Sequence, residues 1–413
     1  MIELTPPIHP VNCSINLGGS KSICNRLLIL NALMGTRCKI ENLSDSDDTV
    51  ILQRALDISK QTDSATINVA HAGTAMRFLS AYLSQKPGHW FLTGSVRMKE
   101  RPIAPLVDAL RAAGAEIEYV ERQGYPPLSI KGKKLRGGSI RIDGSMSSQF
   151  VSALLLASPS FTEGVALHLE NKIVSEPYIE MTIGLLRDFG ITVSSAEHVI
   201  RIAPGQSPKP PENYCVESDW SSASYWFSVC AMGPGNRIIL PNLRANSLQA
   251  DSVLPQIYKN LGLNCEFKET GILIQQTSTA VKELEYNFIN CPDIAQTVAI
   301  SCFALGVKAR LEGIETLKIK ETNRIEALAV ELNKLGADVH YSDTHLEMNR
   351  TIHRKDGRHV INTYGDHRMA MSFAPLSYYA PNLCLANESV VSKSYPRFWD
   401  DLKSAGFNVH LLP

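Results

Sequence analysis

Six stretches of the chain open on small or hydroxyl-bearing residues and run into an apolar helix. They are GGSKSICNRLLILNAL from Gly18, AGTAMRFLSAYL from Ala72, GSMSSQFVSALLLA from Gly144, SDWSSASYWFSVCAM from Ser218, CPDIAQTVAISCFAL from Cys291 and YGDHRMAMSFAPL from Tyr364. Their starts are 54, 72, 74, 73 and 73 residues apart. A second helical class interleaves with them and ends in glycine before a strand-like segment. Its members start at 101, 176, 246, 320 and 394, and the shorter SDSDDTVILQRALDI fills the slot before Ala72. The terminal glycines sit where a helix C-cap calls for positive φ. Segments between helices, such as GSIRIDG and EGVALHLEN, alternate apolar and polar residues as strands do.

Two helix classes keeping one period of about 73 residues predict six repeated units, each with two helices and several short strands. Three units per half place a domain boundary near Glu217–Ser218. The short first gap marks unit one as trimmed. The N-terminal strand is then expected to complete the second half.

The polar positions carry the candidate chemistry. In the first helix Ile23, Leu27, Leu30 and Met34 are expected to form the buried stripe, with Lys21 and Asn25 on one exposed edge and Ser22 and Arg26 on the next. In KETNRIEALAVELNKLG, Ile325, Leu328, Leu332 and Leu335 are expected to face inward. Lys320 and Arg324 should then project together from the first turn, with Glu321 beside them. Arg77 and Arg368 also fall in first turns. A cation there opposes the helix dipole, at a cost of a few tenths to about 1 kcal/mol each. A bound anion reverses that sign by meeting both the free N–H groups and the side-chain cations. Solvated surface charge would account for one such helix; four in a periodic chain point to anion binding. GSMSSQF offers Ser147, Ser148 and Gln149 as consecutive donors at a helix start. RMKERP offers Arg97, Lys99 and Arg101 before Pro102, read here as the first helical position.

Composition narrows the classes. Of 413 residues, 44% are hydrophobic and 20% charged, and Lys+Arg and Asp+Glu are 41 each, so no global field favours nucleic acid or an anionic membrane. An anionic ligand must therefore meet a local cluster of cations. Nine scattered cysteines without C-x-x-C argue against a disulfide framework or a zinc site and suit a reducing compartment. The opening MIELTPPIHPVN lacks a basic region followed by an apolar one, and FVSALLLA and VAISCFALGV are too short to span a bilayer. A cytoplasmic protein is expected. A Walker loop would need glycine where Ser20 and Ile15 stand. His340, His345, His353 and His359 lie in a polar stretch and read as surface loop residues rather than metal ligands.

GGSKSICNR, AGTAMR, RMKERP, DGSMSSQF, SEPY, SDWSSASY, CPDIAQT, KETNR, YGDHRMAM and SKSYP occur in an order that resembles the 5-enolpyruvylshikimate-3-phosphate synthase family, from about residue 14 to 400. The resemblance implies an α/β fold of two similar domains, each of three βαβαββ repeats in an inside-out α/β barrel, with the active site in the interdomain cleft. The first domain would cover 20–217 and the second 1–19 plus 218–413. The implied reaction transfers the enolpyruvyl group of phosphoenolpyruvate to the 5-hydroxyl of shikimate 3-phosphate, a step of aromatic amino-acid biosynthesis. It implies no metal, no organic cofactor and a monomer whose partners are these two small molecules. Their phosphates and carboxylates together carry roughly five negative charges.

Carried onto this chain, the resemblance assigns shikimate 3-phosphate to Lys21, Ser22, Arg26, Ser147, Ser148, Gln149, Ser175, Tyr178, Asp293 and Lys320. It assigns phosphoenolpyruvate to Lys21, Gly73, Arg101, Gln149, Arg324, Arg368 and Lys393. Asp293 would accept the hydroxyl proton, Glu321 would donate to C3, and the two would exchange roles during elimination with Lys21 assisting. Four positions depart from the family pattern: His71 stands for a frequent Asn, Phe78 for a frequent Pro, Thr316 for an Asn of some members, and Glu176 for the usual Lys. The sister enolpyruvyl transferase acting on UDP-N-acetylglucosamine commonly uses a cysteine on a first-domain loop. No cysteine lies between Cys38 and Cys215 here. A non-catalytic phosphate-ligand binding protein on the same fold would need Asp293 or Glu321 to be idle.

Overall fold

Many helices end on a residue in left-handed backbone, and the glycines predicted as caps supply it. Gly190 lies at φ 77° and Gly336 at 90°, and Gly114, Gly262 and Gly406 behave alike. The structure, a computed structural model, describes residues 1–349 and 357–412. Met1–Gly18 with Glu217–Pro413 form one compact unit, here the terminal unit, and Gly19–Val216 form another, the central unit.

The central unit holds helices α1 (Lys21–Met34), α2 (Asp47–Gln61), α3 (Gly73–Leu83), α4 (Val96–Lys99), α5 (Ala104–Ala112), α6 (Ser148–Ala157) and α7 (Glu176–Asp188). The terminal unit holds α8 (Trp220–Met232), α9 (Leu254–Asn260), α10 (Ala295–Ala304), α11 (Arg324–Lys334), α12 (His367–Phe373) and α13 (Phe398–Ser404). Each helix predicted from the pattern is present.

Four-stranded mixed sheets accompany them, three in the terminal unit and two in the central unit. The central unit's remaining sheet has two strands, Lys39–Glu41 and Asn213–Cys215, which is the trimmed first repeat. The chain's opening strands complete terminal-unit sheets. Ile2–Thr5 pairs with Leu383–Leu385 and Asn408–Leu411, and Asn12–Ser14 pairs with Arg237–Pro241. Strands such as Val165–Glu170 alternate buried and less buried positions, so one sheet face packs on helices while the other faces out.

The sequence period reappears as contacts between equivalent residues. Ser224 meets Thr297 at 3.2 Å, Ser228 meets Ser301 at 2.9 Å, and Gln296 Nε2 donates to Met369 Sδ at 2.9 Å, each pair 73 residues apart. Thr297 also bonds Ser372 at 2.9 Å. These residues lie on α8, α10 and α12, the almost wholly buried helices of successive repeats. Repetition has placed equivalent helix positions of successive units against each other.

Several expectations are corrected. Asn25 and Arg26 are buried, not on exposed edges, because α1 is covered on those sides: by Thr49 of α2 at Asn25 and by α6 and α7 at Arg26. Met34 is only partly buried, in the last turn of α1. Helix α11 begins at Arg324, with Asn323 as N-cap, so Lys320 and Glu321 lie before the helix rather than in its first turn. Pro102 precedes α5, whose first turn holds Pro105 instead, and Val96–Lys99 forms a short helix of its own. Helix α9 starts at Leu254, after a 3-10 turn at Ala250–Val253. His340, His345 and His359 lie on strands rather than loops, and His353 lies outside the described residues.

Thr297→Val keeps the side-chain volume but removes the hydroxyl that Ser372 pairs with. Leaving that buried serine without its partner is expected to destabilise the protein by about 1–3 kcal/mol, read as a lower urea midpoint with an unchanged slope.

Candidate active site

In the central unit one buried cation organises three helices. Arg26, 2% exposed, donates from Nε to Thr182 Oγ1 (2.8 Å), from Nη1 to the Ser22 carbonyl (2.9 Å), and from Nη2 to Ser152 Oγ (3.0 Å) and the Tyr178 carbonyl (3.2 Å). Its guanidinium carbon also stands 5.4 Å from the centre of the Phe78 ring. Burial lowers its pKa to about 10, which still leaves it charged at neutral pH. The clamp ties α1, α6 and α7 together within two turns of their starts. At those starts stand Ser22, the Ser147–Gln149 run and Ser175. Ser147 caps α6 by accepting from the Gln149 amide at 3.3 Å. Ser175 is a buried non-glycine residue at φ 54°, a conformation that costs about 1–3 kcal/mol and clusters at working sites.

Lys21 opens α1 with its ammonium 3.3 Å from Asp48, a nearly buried acid in the first turn of α2. The charge placed against one helix dipole is thus met by an acid that the neighbouring helix favours. Arg101 lies against Gly73, where an added Cβ would come within 2.6 Å of Nη1. Arg77 does not present its charge at the start of α3. Its buried guanidinium donates to the Gly73 and Pro102 carbonyls, both at 3.2 Å, and lies over Phe150. It joins the two segments that carry Gly73 and Arg101.

In the terminal unit acids and bases interlock. Arg324, 2% exposed, contacts three carboxylates: Asp366 (Nε, 2.7 Å), Glu321 (Nη2, 2.7 Å) and Asp293 (Nη1, 3.4 Å). Asp293 also meets Arg368 at 2.9 Å and Lys320 at 3.5 Å, and Glu321 pairs with Lys393. Burial lowers the pKa of Lys320 and Asp293 opposes that shift. At Arg324 burial also pulls downward, but Asp366 and Glu321 outweigh it and the pKa rises.

Sequence reasoning missed two acids of this cluster. Asp366 caps α12 by accepting from the Arg368 amide at 2.8 Å while gripping Arg324, so it sets one arginine against another. Its position before HRMAM is a readable N-cap signal. Asp251, 3% exposed, accepts from Ser221, whose hydroxyl also receives Arg368 Nη2 at 3.4 Å. Nothing in SLQADSV distinguishes it from a loop acid. Thr316, at the departing position, keeps a buried hydroxyl without a partner among the described residues, in the turn before Lys320. His71 bonds Ser95, the cap of α4, at 2.9 Å.

This chain has close counterparts. The family model for EPSP synthase (3-phosphoshikimate 1-carboxyvinyltransferase) matches residues 6–402. The chain belongs to the EPSP synthase family. A 3-phosphoshikimate 1-carboxyvinyltransferase of Bacteroides fragilis is 44% identical over 401 residues, covering 97% of this chain and 96% of the relative. One of Vibrio atlanticus is 36% identical over 421 residues, covering 96% and 97%. A solved EPSP synthase from Acinetobacter baumannii superposes with a TM-score of 0.80 over the full length of both chains at 20% identity, a likeness of fold.

Burial, with Asp293 next, pushes the Asp251 carboxyl up to about 7, against the pull of Arg368. Below the ordinary value of 3.8 the acid is protonated whether folded or not. Between there and about 7 the unfolded chain releases a proton that the folded protein keeps, so this group's contribution to stability is lost as pH rises. Asp251→Asn is expected to flatten that part of the stability curve, measured by thermal unfolding across the same pH window.

Proposed function

We propose that this protein transfers the enolpyruvyl group of phosphoenolpyruvate to the 5-hydroxyl of shikimate 3-phosphate, releasing phosphate. The observation that carries the reading is the pair of acids held among cations: Asp293 by Lys320, Arg324 and Arg368, and Glu321 by Arg324 and Lys393. General acid–base chemistry needs two carboxyl groups that can hold and yield protons. Phosphate and carboxylate ligands need forked guanidinium donors. Both requirements meet in one set of side chains.

The chemistry is addition then elimination. The 5-hydroxyl oxygen bonds to C2 of phosphoenolpyruvate while C3 gains a proton, giving a tetrahedral ketal phosphate. Loss of a C3 proton then expels phosphate and restores the double bond. Asp293 takes the hydroxyl proton and Glu321 supplies the proton to C3; the roles reverse in elimination, with Lys21 assisting. Glu321 can hold a proton only when other anions share the charge of Lys393 and Arg324, and the phosphate and carboxylate of phosphoenolpyruvate do so. Arg101, Gly73 and Gln149 complete the phosphoenolpyruvate contacts, Gly73 by admitting Arg101 at a distance that a Cβ would block.

Shikimate 3-phosphate is assigned to Ser147, Ser148 and Ser175 for its phosphate, and to Lys21, Ser22, Arg26, Gln149, Tyr178, Asp293 and Lys320 for the remainder. The starts of α1, α6 and α7, tied together by Arg26, would offer N–H groups and dipole to that anion. All nine cysteines are free thiols, which suits a reducing compartment, and the reaction is placed in the cytoplasm, carried out by a monomer.

Phosphate release from phosphoenolpyruvate should require shikimate 3-phosphate. Release without it, or none with both present, would refute the assignment. Glu321→Gln is expected to retain shikimate 3-phosphate binding and lose about 100-fold or more in kcat; near-normal turnover would remove Glu321 as the proton donor.

A further inference from the structure

The Thr363–Asp366 turn carries a conformational oddity. Tyr364 lies at φ 55° and Gly365 at φ 67°, and the Asp366 amide closes on the Thr363 carbonyl at 2.9 Å. Two successive positive φ values are the pattern of a type I′ turn, whose first central position favours Asn, Asp or Gly. A bulky aromatic there is an outlier held by its surroundings.

What holds it is on α11. Tyr364 Oη donates to Glu331 Oε1 at 2.6 Å. The Glu331 side chain is fully buried, and Lys334 Nζ reaches both of its oxygens at 2.7 and 2.8 Å. An apolar side chain would fill such a place without the desolvation that a buried carboxylate brings, so its presence points to geometry rather than stability. Glu331 stands two helical turns beyond Arg324, on the same face of α11. Arg324 grips Asp366, and Glu331 grips Tyr364 two residues earlier. The turn is therefore fastened to α11 at two points.

We propose that Glu331 and Tyr364 are a positioning pair that fixes this turn along α11 and so sets the spacing of Arg324 and Arg368, the two arginines assigned above to phosphoenolpyruvate. This rests on that assignment. Asp366 is the link: its carboxylate binds the Arg324 side chain and the Arg368 amide together, and any slide of the turn moves one arginine relative to the other. Neither Glu331 nor Tyr364 needs to touch substrate.

The test is steady-state kinetics with both substrates on three variants. Tyr364→Phe removes only the tie. Tyr364→Asn also removes it but installs a residue the turn prefers. Glu331→Gln keeps an acceptor for Tyr364. Both Tyr364 variants should raise the KM for phosphoenolpyruvate by about 10-fold or more, with a smaller change in kcat and unchanged binding of shikimate 3-phosphate by calorimetry. Glu331→Gln should stay near the parent value. A Tyr364→Asn protein that is more stable than the parent with an unchanged KM would overturn the proposal, as would an equal loss for Glu331→Gln and Tyr364→Phe. If the parent protein releases no phosphate from the two substrates, the functional assignment fails; if it does and the Tyr364 variants match it, only the positioning role fails.

Discussion

A single buried guanidinium holds the acid–base cluster of the terminal unit together. Arg324 takes a carboxylate from each of three places: the turn before α10, the loop before its own helix, and the cap of α12. An arginine removed from water needs that many partners, and each partner would itself be costly to bury alone. The acids thus keep the cation inside, and the cation keeps three chain segments at fixed distances. Lys320, Arg368 and Lys393 attach to two of these acids, Asp293 and Glu321. The result is a cluster in which charges of both signs are paired with one another.

The central unit uses the same economy, with neutral partners for Arg26 and an acid for Lys21. Arg26 is satisfied by hydroxyls and carbonyls of α1, α6 and α7, and Lys21 by Asp48. Cations placed against helix dipoles in a chain with no net charge are therefore not loose surface charge. Each of these is held by a specific acceptor, and Arg77, which also opens a helix, is spent on joining backbone segments. The Glu331–Tyr364 tie extends this logic outward, where a residue in strained backbone is held by a carboxylate that the core could have done without.

The repeat was legible because periodicity is a property of the chain: residues 73 apart that look alike also meet, as Ser228 and Ser301 do. Helix stops at Gly190 and Gly336 were legible because a left-handed φ has few takers. The exposure of Arg26 was misread because helical spacing ranks faces by apolarity, and an arginine buried by hydroxyls looks polar to that measure. Asp251 was invisible for a related reason: its burial comes from elements far away in sequence. The start of α11 was placed too early because KETN carries the charges of a first turn without its hydrogen bonds.

What the sequence by itself determined is the count and kind of parts: twelve repeat helices, their glycine stops, the strands between them, and the motif residues that mark the family. Those follow from local rules, in which neighbouring residues decide backbone conformation. Only the tertiary structure decided which charge meets which. Pairings such as Arg324 with Asp366 or Tyr364 with Glu331 span more than thirty residues. They depend on how helices pack, and packing is settled by the summed burial of many side chains, not by the spacing of any few.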